Sequence, residues 1–419
     1  MSLSGALSAA VSALNAQSTA LSIVSNNLAN SSTVGYKSSN ASFSSLLAGY
    51  SSSGAGASGG VSVDTVSDVS AQGLLDSSTV ATNMAISGNG MFVVSSAATG
   101  GSDAYTRNGE FTIDSEGYLV NNGYYLQGWP TDADGNITGG TSSNNLESID
   151  TNAISTIATP TSTASLVANL PASAATGDTF TSSMEIYDSL GTAASTTITW
   201  TKTGDNTWTA DFSDPTSTSD TSTAIGTVTS DPITITFNSD GTLASTDPSP
   251  ATLNIGSWTT GAADSAITLD LGTTGAANGL SQYSTSTATV DLQSSQNGVA
   301  FGTLSGITIG DDGGVVATYD NGVERTIYKI PVATFANEDG LQTSSGGIYS
   351  ATADSGTATL RLSGTDGAGT IYGSELELST TDTNEEFSRM MAAQQAYSGA
   401  AQVMSATNSM FQTLISSMR

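Results

Sequence analysis

Leucine recurs at every seventh position near the start of the chain, at Leu7, Leu14, Leu21 and Leu28. The same spacing returns at the opposite end, in Met390, Tyr397, Met404, Phe411 and Met418. Such a repeat lines its members up as one stripe of a helix, because two turns take about seven residues. Leu3, Ala10 and Val24 add a neighbouring line to the first stripe. Phe387, Ala401 and Ile415 lie three positions before members of the second, a line interrupted by Gln394 and Asn408. The spacing predicts helices over residues 3–30 and about 384–418, each roughly 45 Å long at 1.5 Å per residue. Thr383 and Glu386 have capping-box spacing at the start of the second helix, and Glu385 and Glu386 suit the positive end of its dipole. Any fold must therefore cover two apolar seams, one at each end of the chain.

Charge narrows what can cover them. From Met1 to Val63 the only charged residue is Lys37, and from Met390 to Met418 there is none. A solvent-facing helix ordinarily carries charges on its outer face. These carry Ser, Thr, Asn, Gln and Ala there instead. Such helices suit an environment made of copies of themselves. Alone they are expected to be marginal, frayed or disordered.

The chain has 419 residues, which implies two to four domains. Its 37 acidic and 8 basic residues leave a net charge of −29. So few cations argue against a nucleic-acid backbone or an anionic membrane surface as partner. Cysteine and histidine are both absent, which removes disulfides, thiol chemistry, His-dependent triads and most zinc sites. Carboxylate-only hydrolysis stays open in principle, yet no pair of carboxylates stands out, so no catalytic residue, cofactor or metal site is assigned. No segment is expected to span a bilayer. Residues 2–30 have no basic n-region, so a cleaved secretory signal is not expected either.

The expected fold is mainly β with terminal α-helices. Residues 38–80 are Ser/Gly-rich and predict an extended connector. Short strands follow at Met91–Val94, Ala104–Arg107, Glu110–Ile113, Tyr118–Val120 and Tyr124–Trp129, punctuated by glycines. A Thr-rich block with Lys202 as its only basic residue has strand-like runs at Met184–Tyr187, Thr196–Thr201, Thr207–Phe212, Ile233–Phe237 and Ile267–Leu271. Beyond that block, the alternation of short strands and turns resumes at Gly302–Ile309, Val315–Tyr319 and Thr326–Phe335. These shifts predict a nested multi-domain chain. Residues 1–37 plus 384–419 form a coiled-coil-like inner domain, and 38–80 plus 365–383 the connector. Residues 81–150 plus 290–364 form a middle β-domain, and 151–289 an outer acidic β-domain.

Asp132-Ala-Asp134-Gly135-Asn136 begins like a calcium loop, but Ser143 stands where the twelfth-position Glu belongs. It is read as a polar turn, as is Asp311-Asp312-Gly313-Gly314.

The sharpest string is Asn26-Asn27-Leu28-Ala29-Asn30, followed by Thr33, Gly35, Tyr36 and Lys37. Asn can end a helix through side-chain-to-backbone bonds, and Gly permits a kink before an extended segment. This string resembles the N-terminal signature of the bacterial flagellar rod and hook family of axial proteins. Ala85–Val94, Tyr105–Phe111, Gly117–Val120 and Glu385–Met391 with Gln394 and Tyr397 resemble further strings of that family. The large insertion resembles its hook-type members, through Ile186–Gly191, Thr236–Leu243, Gly302–Ile309, Ala333–Leu341 and Gly347–Ala351. Two positions depart from the pattern. Ser379-Thr-Thr-Asp382 stands before the last helix where relatives often carry S-N-V-D, and Ala400 replaces a usual Asn.

The resemblance implies an extracellular, non-enzymatic subunit that stacks head-to-tail into a flexible tube and passes motor torque from rod to filament. Its implied partners are further copies of itself, the hook cap, distal rod and hook–filament junction proteins, and the flagellar type III export apparatus. Export without a cleaved signal is implied, with no membrane insertion and no nucleic acid. Phe43 and Leu47 fit a short export-gate motif of relatives. The assembly seam is assigned to Leu7, Leu14, Leu21, Leu28, Met390, Tyr397, Met404 and Phe411. The alternatives are a distal rod or junction protein and, more remotely, a β-rich surface adhesin.

Overall fold

Two long helices are formed where the heptads predict them: α1, Leu3–Ala29, and α2, Thr383–Ser417. Neither contains proline, and α1 is dominated by Ala, Leu and Ser, so local preference agrees with the stripe. The structure is a computed structural model and describes residues 3–48, 57–285 and 288–417. Met418 lies outside the described residues.

One expectation about α1 is corrected. Residues Gly5–Ala29 are long and apolar enough to cross a membrane by length and composition alone. The absence of any charge lets Ala, Leu and Val outweigh the interspersed Ser and Asn. In the fold, α1 packs on α2 and on a hairpin.

That hairpin corrects a second expectation. Residues 38–80 are extended but not an open connector. Strands β1, Ser39–Ala48, and β2, Ala57–Ser67, pair antiparallel, beginning at Ser39↔Ser67. Pairing satisfies backbone groups that an isolated strand would leave to water. Gly60 brings β2 against α1. A Cβ there would lie 2.2 Å from Ser12 Oγ, which instead accepts a bond from Val61 N at 3.2 Å. The segment 365–383 is likewise stitched in: Thr370–Gly373 pairs with Met84–Ser87, and Glu375–Glu377 with Leu75–Ser77.

The chain divides into two compact units. The first comprises Met1–Ala153, Ile307–Ala317 and Arg325–Arg419. Beside the helices and hairpin it holds a sheet in which Met91–Ser95 is flanked by Asp103–Thr106, Tyr124–Pro130 and Val332–Thr334. Met91, Val93, Tyr105, Ala333 and Tyr349 share one core, and Phe92 packs edge-on against Phe111 at 5.9 Å. The run Thr326–Phe335 is two strands rather than one, Glu324–Lys329 and Val332–Thr334. Pro331 between them has no amide hydrogen to give a ladder.

The second unit comprises Ile154–Gly306 and Thr318–Glu324, so residues 290–306, expected with the middle domain, belong to it instead. Most of it is a sandwich of two six-stranded sheets. One is ordered around Ala251–Gly256, Ser265–Asp270 and Thr163–Asn169, the other around Thr179–Tyr187, Ala193–Gly204, Thr207–Phe212 and Ile233–Phe237. Ala194, Ile198 and Trp200 alternate inward along one strand, and Leu166, Leu253 and Ile267 meet them from the other sheet. Lys202 takes the next inward position. Its ammonium donates to Ala172 O at 2.8 Å and Ala174 O at 2.9 Å, and lies 5.9 Å from the Trp208 ring. Thr163–Asn169 and Ala251–Gly256 escape the sequence pattern, because Ala, Ser and Asn dilute their alternation.

Candidate assembly site

The helical pair buries a stripe of small residues. On α1 the buried side chains are Ala10, Ala16, Ala20, Ile23, Val24 and Asn27, while Leu7, Leu14, Leu21 and Leu28 are half-buried beside them. On α2 the predicted line is joined by a different partner line. Met390, Met404 and Phe411 are half-buried and Tyr397 is exposed. Their companions lie four positions before them: Glu386, Ala393, Ala400 and Thr407, of which all but the half-buried Ala400 are buried. Phe387 and Ile415, read from the sequence as a neighbouring line, are exposed at 51% and 62%, and Ala401 is exposed as well. The reason is steric. Alanine and threonine let the two backbones approach, whereas Phe or Ile on that line would hold them apart. Thr407 returns its hydroxyl to Val403 O at 2.8 Å, so that hydroxyl is not stranded.

The signature string forms the base of this pair. Asn27 is fully buried and grips Ser39 as a neighbouring strand would: Nδ2 donates to Ser39 O at 2.7 Å, and Oδ1 accepts from Ser39 N at 3.0 Å. Tyr36 Oη donates to the same Oδ1 at 3.1 Å. Asn30 Nδ2 donates to Asn26 O at 2.9 Å and its Oδ1 accepts from Thr33 Oγ1 at 3.1 Å, closing the helix end. Leu28 is half-buried and Ala29 exposed, completing the turn without a polar role. Gly35 adopts φ +67°, and a Cβ there would fall 2.7 Å from Asn108 N. Its amide donates to Glu377 O at 2.7 Å. Ser38 N donates to Thr380 Oγ1 at 2.9 Å, and Thr380 N to Tyr36 O at 3.1 Å. Thr380 thus supplies a side-chain bond where relatives often carry Asn.

Beneath these bonds lie buried charges. Lys37 Nζ meets Glu377 Oε1 at 2.6 Å, with both side chains inaccessible to solvent. Arg107 Nη1 meets Glu377 Oε2 at 3.2 Å and donates to Ile86 O at 2.9 Å. Gly73 N donates to Glu377 Oε1 at 2.8 Å, and Lys37 also donates to Ala71 O. Burial pushes the Lys37 ammonium below its usual range, and Glu377 opposes that shift. Burial pushes the Glu338 carboxyl up, opposed by Arg107 and Lys37. Burial followed by the Glu386 charge raises the Tyr36 phenol. One carboxylate therefore ties the exit of α1, the segment around Arg107 and the approach to α2 into one knot.

Helix α2 starts one residue sooner than a Thr383 cap implies. Asp382 is the cap, its Oδ1 accepting from Asn384 N at 2.8 Å and Glu385 N at 3.3 Å. Arg389 then binds Glu385 at 2.6 Å, Glu386 at 3.2 Å, and Asn40 of β1. Between α1, β1 and α2 opens a groove of about 580 Å³, lined by Ala20, Ile23, Val24, Phe43, Ala393 and Ala396. Phe43, from the short export motif, sits on β1 opposite Val63 and is 48% exposed. The Leu47 side chain lies outside the described residues.

Comparison with known proteins agrees with this architecture. Across 98% of its length the chain is 34% identical to the flagellar hook protein FlgE of Escherichia coli (strain K12), covering 99% of that protein. It belongs to the flagellar hook protein family. The hook protein of Brucella abortus biovar 1 (strain 9-941) is 33% identical over 96% of both chains, and that of Salmonella typhimurium is 33% identical over 97% of this one. Four family models match successive segments. They are the flagella basal body rod protein at 7–37, the flagellar hook protein FlgE/F/G D1 domain at 85–167, the flagellar basal body protein FlaE D2 domain at 148–299, and the flagellar basal body rod FlgEFG protein C-terminal at 373–417. The crystal structure of the Helicobacter pylori hook protein FlgE2 shares the fold with a TM-score of 0.51 at 14% identity, covering 71% of this chain and 98% of that one. The chain is a structural subunit of the hook, a self-assembling component of the flagellum outside the cell.

Lys37 is visible in the sequence because it stands alone in an uncharged stretch. Glu377 and Arg107 carry no such mark. The available signal is arithmetic: with so few basic residues, a lone Lys beside a helix exit calls for an acidic partner.

Proposed function

We propose that the helical pair is the polymerising element of this hook subunit and lines the inner wall of the tube. The seam of Leu7, Leu14, Leu21, Leu28, Met390, Tyr397, Met404 and Phe411 packs partly within the subunit and partly against neighbours. The observation that carries this reading is the half-burial of all four leucines on a helix pair with no charge from Met390 to Met418. Half-covered apolar stripes gain ~25 cal/mol for each Å² removed from water on assembly, before ordering costs. Head-to-tail repetition is heterologous, which gives an open filament. The Thr-rich sandwich carries the outer contacts, where polar surfaces slide at little cost as the tube bends. The subunit leaves the cell uncleaved through the type III apparatus, with Phe43 and Leu47 as its gate contact. It meets the hook cap, distal rod and junction proteins. Deleting residues 1–30 and 384–419 is expected to leave a soluble β-rich monomer that forms no tubes under electron microscopy; tubes from that truncate would refute the reading.

A further inference from the structure

The groove at the base of the helical pair and the far tip of α2 complement each other. The groove lining runs from Gln17 to Val24 on α1 and from Glu386 to Ala396 on α2. Its inner surface is largely small or apolar, and Ala392, Ala393 and Ala396 leave room for larger side chains. Glu386 and Arg389 also line it and pair with each other at 3.2 Å.

The tip has the opposite character. Helix α2 has 35 residues against 27 in α1. The helices run antiparallel from their shared base, so the last turns of α2 reach about 12 Å past α1 at 1.5 Å per residue. On those turns Met410, Leu414 and Ile415 are each more than half exposed. Met410 and Leu414 lie four apart, on one face. An apolar ridge meeting an apolar hollow fits the ridge-and-groove logic of helix packing.

We infer that the α2 tip of one subunit, through Met410 and Leu414, docks into the Ala392/Ala396 groove of the next. The occupant cannot be the same chain's own tip. Leu414 lies 18 residues beyond Ala396 on one continuous helix, about 27 Å away. The tip carries no charge from Met410 to Met418, which matches the apolar side of the groove formed by Ala20, Ile23, Val24, Phe43 and Ala396. Base and tip lie at opposite ends of the pair, so the contact repeats along one direction without closing. This inference rests on the assembly role proposed above and assigns it a specific contact.

The natural absence of cysteine makes the test clean. Full-length chain carrying both Ala396→Cys and Leu414→Cys is assembled and oxidised, and a second chain carries Ala392→Cys with Met410→Cys. A disulfide needs Cα atoms within about 7 Å. The expected result is a covalent ladder extending past dimers in assembled material and absent in monomer. Single variants are expected to cross-link only when Ala396→Cys and Leu414→Cys chains are mixed. Leu414→Ser alone is expected to raise the critical concentration for tubes about tenfold. Tubes from both double variants that give no ladder would overturn the contact, as would single variants that cross-link to themselves. Failure of the unaltered chain to form tubes would instead refute the assembly reading.

Discussion

The helical pair and the Thr-rich sandwich divide one chain between two ways of being stable. The sandwich encloses Trp200, Trp208, Ile235 and Leu253 without exposure, and even its inward Lys202 finds two carbonyls. The helical pair buries mainly alanines with Ile23 and Val24, and leaves its leucines half covered. What holds the pair in place is the polar knot at its base. A dry core is complete within one subunit, whereas a half-covered stripe is completed only by assembly. The difference shows why a uniform, low-charge helix can share a chain with a well-packed β-domain.

The most severe way to break this contrast is to hollow out the sandwich. Trp208→Ala removes a ring whose Nε1 donates to Gln282 Oε1 at 2.8 Å. It is expected to cost the second unit about 3–5 kcal/mol, read as a lowered denaturant midpoint, while α-helical circular dichroism persists. Parallel loss of helix signal would show that the two regions do not fold separately.

Glu377→Gln attacks the knot instead. It leaves Lys37 and Arg107 buried without their carboxylate, at a cost of about 3–5 kcal/mol. Hydrogen exchange is expected to rise around residues 35–38 and 377–380 and not in the sandwich. Equal exchange in both regions would erase the distinction drawn here.

A milder change sharpens it. Asp382→Ala removes the α2 cap and is expected to cost about 1 kcal/mol, seen as faster exchange in the first turn of α2 only.

Acid distinguishes the regions most weakly. In the sandwich, hydrogen bonds from Thr242 hold the Asp240 carboxyl below its ordinary 3.8, and the Ser222 hydroxyl does the same to Asp220. A lowered folded pKa means stability that is present above pH 3.8 and lost as pH falls through the folded value. Asp240→Asn is expected to flatten the pH dependence of unfolding below about pH 4; an unchanged slope would remove Asp240 from the account.

Much of the fold is legible from residues alone. Strict heptads locate both helices, and alternation locates Thr207–Phe212 and Ile233–Phe237 to the residue. Hidden are the strands diluted by Ala and Asn, the hairpin within the Ser/Gly-rich stretch, and the true companion line on α2. Periodicity reports which residues share a face, but not whether a small or a large residue is wanted there.

The sequence by itself determined the two terminal stripes, their missing charges and the Asn-Asn-Leu-Ala-Asn helix exit, because each is a local pattern with a local cause. Only the tertiary structure decided that Lys37 and Arg107 share Glu377, and that Ala393 rather than Phe387 faces α1. Those choices depend on which segments meet in space. Burial makes a charge find its opposite and a close approach select alanine, and neither requirement is written within one helix.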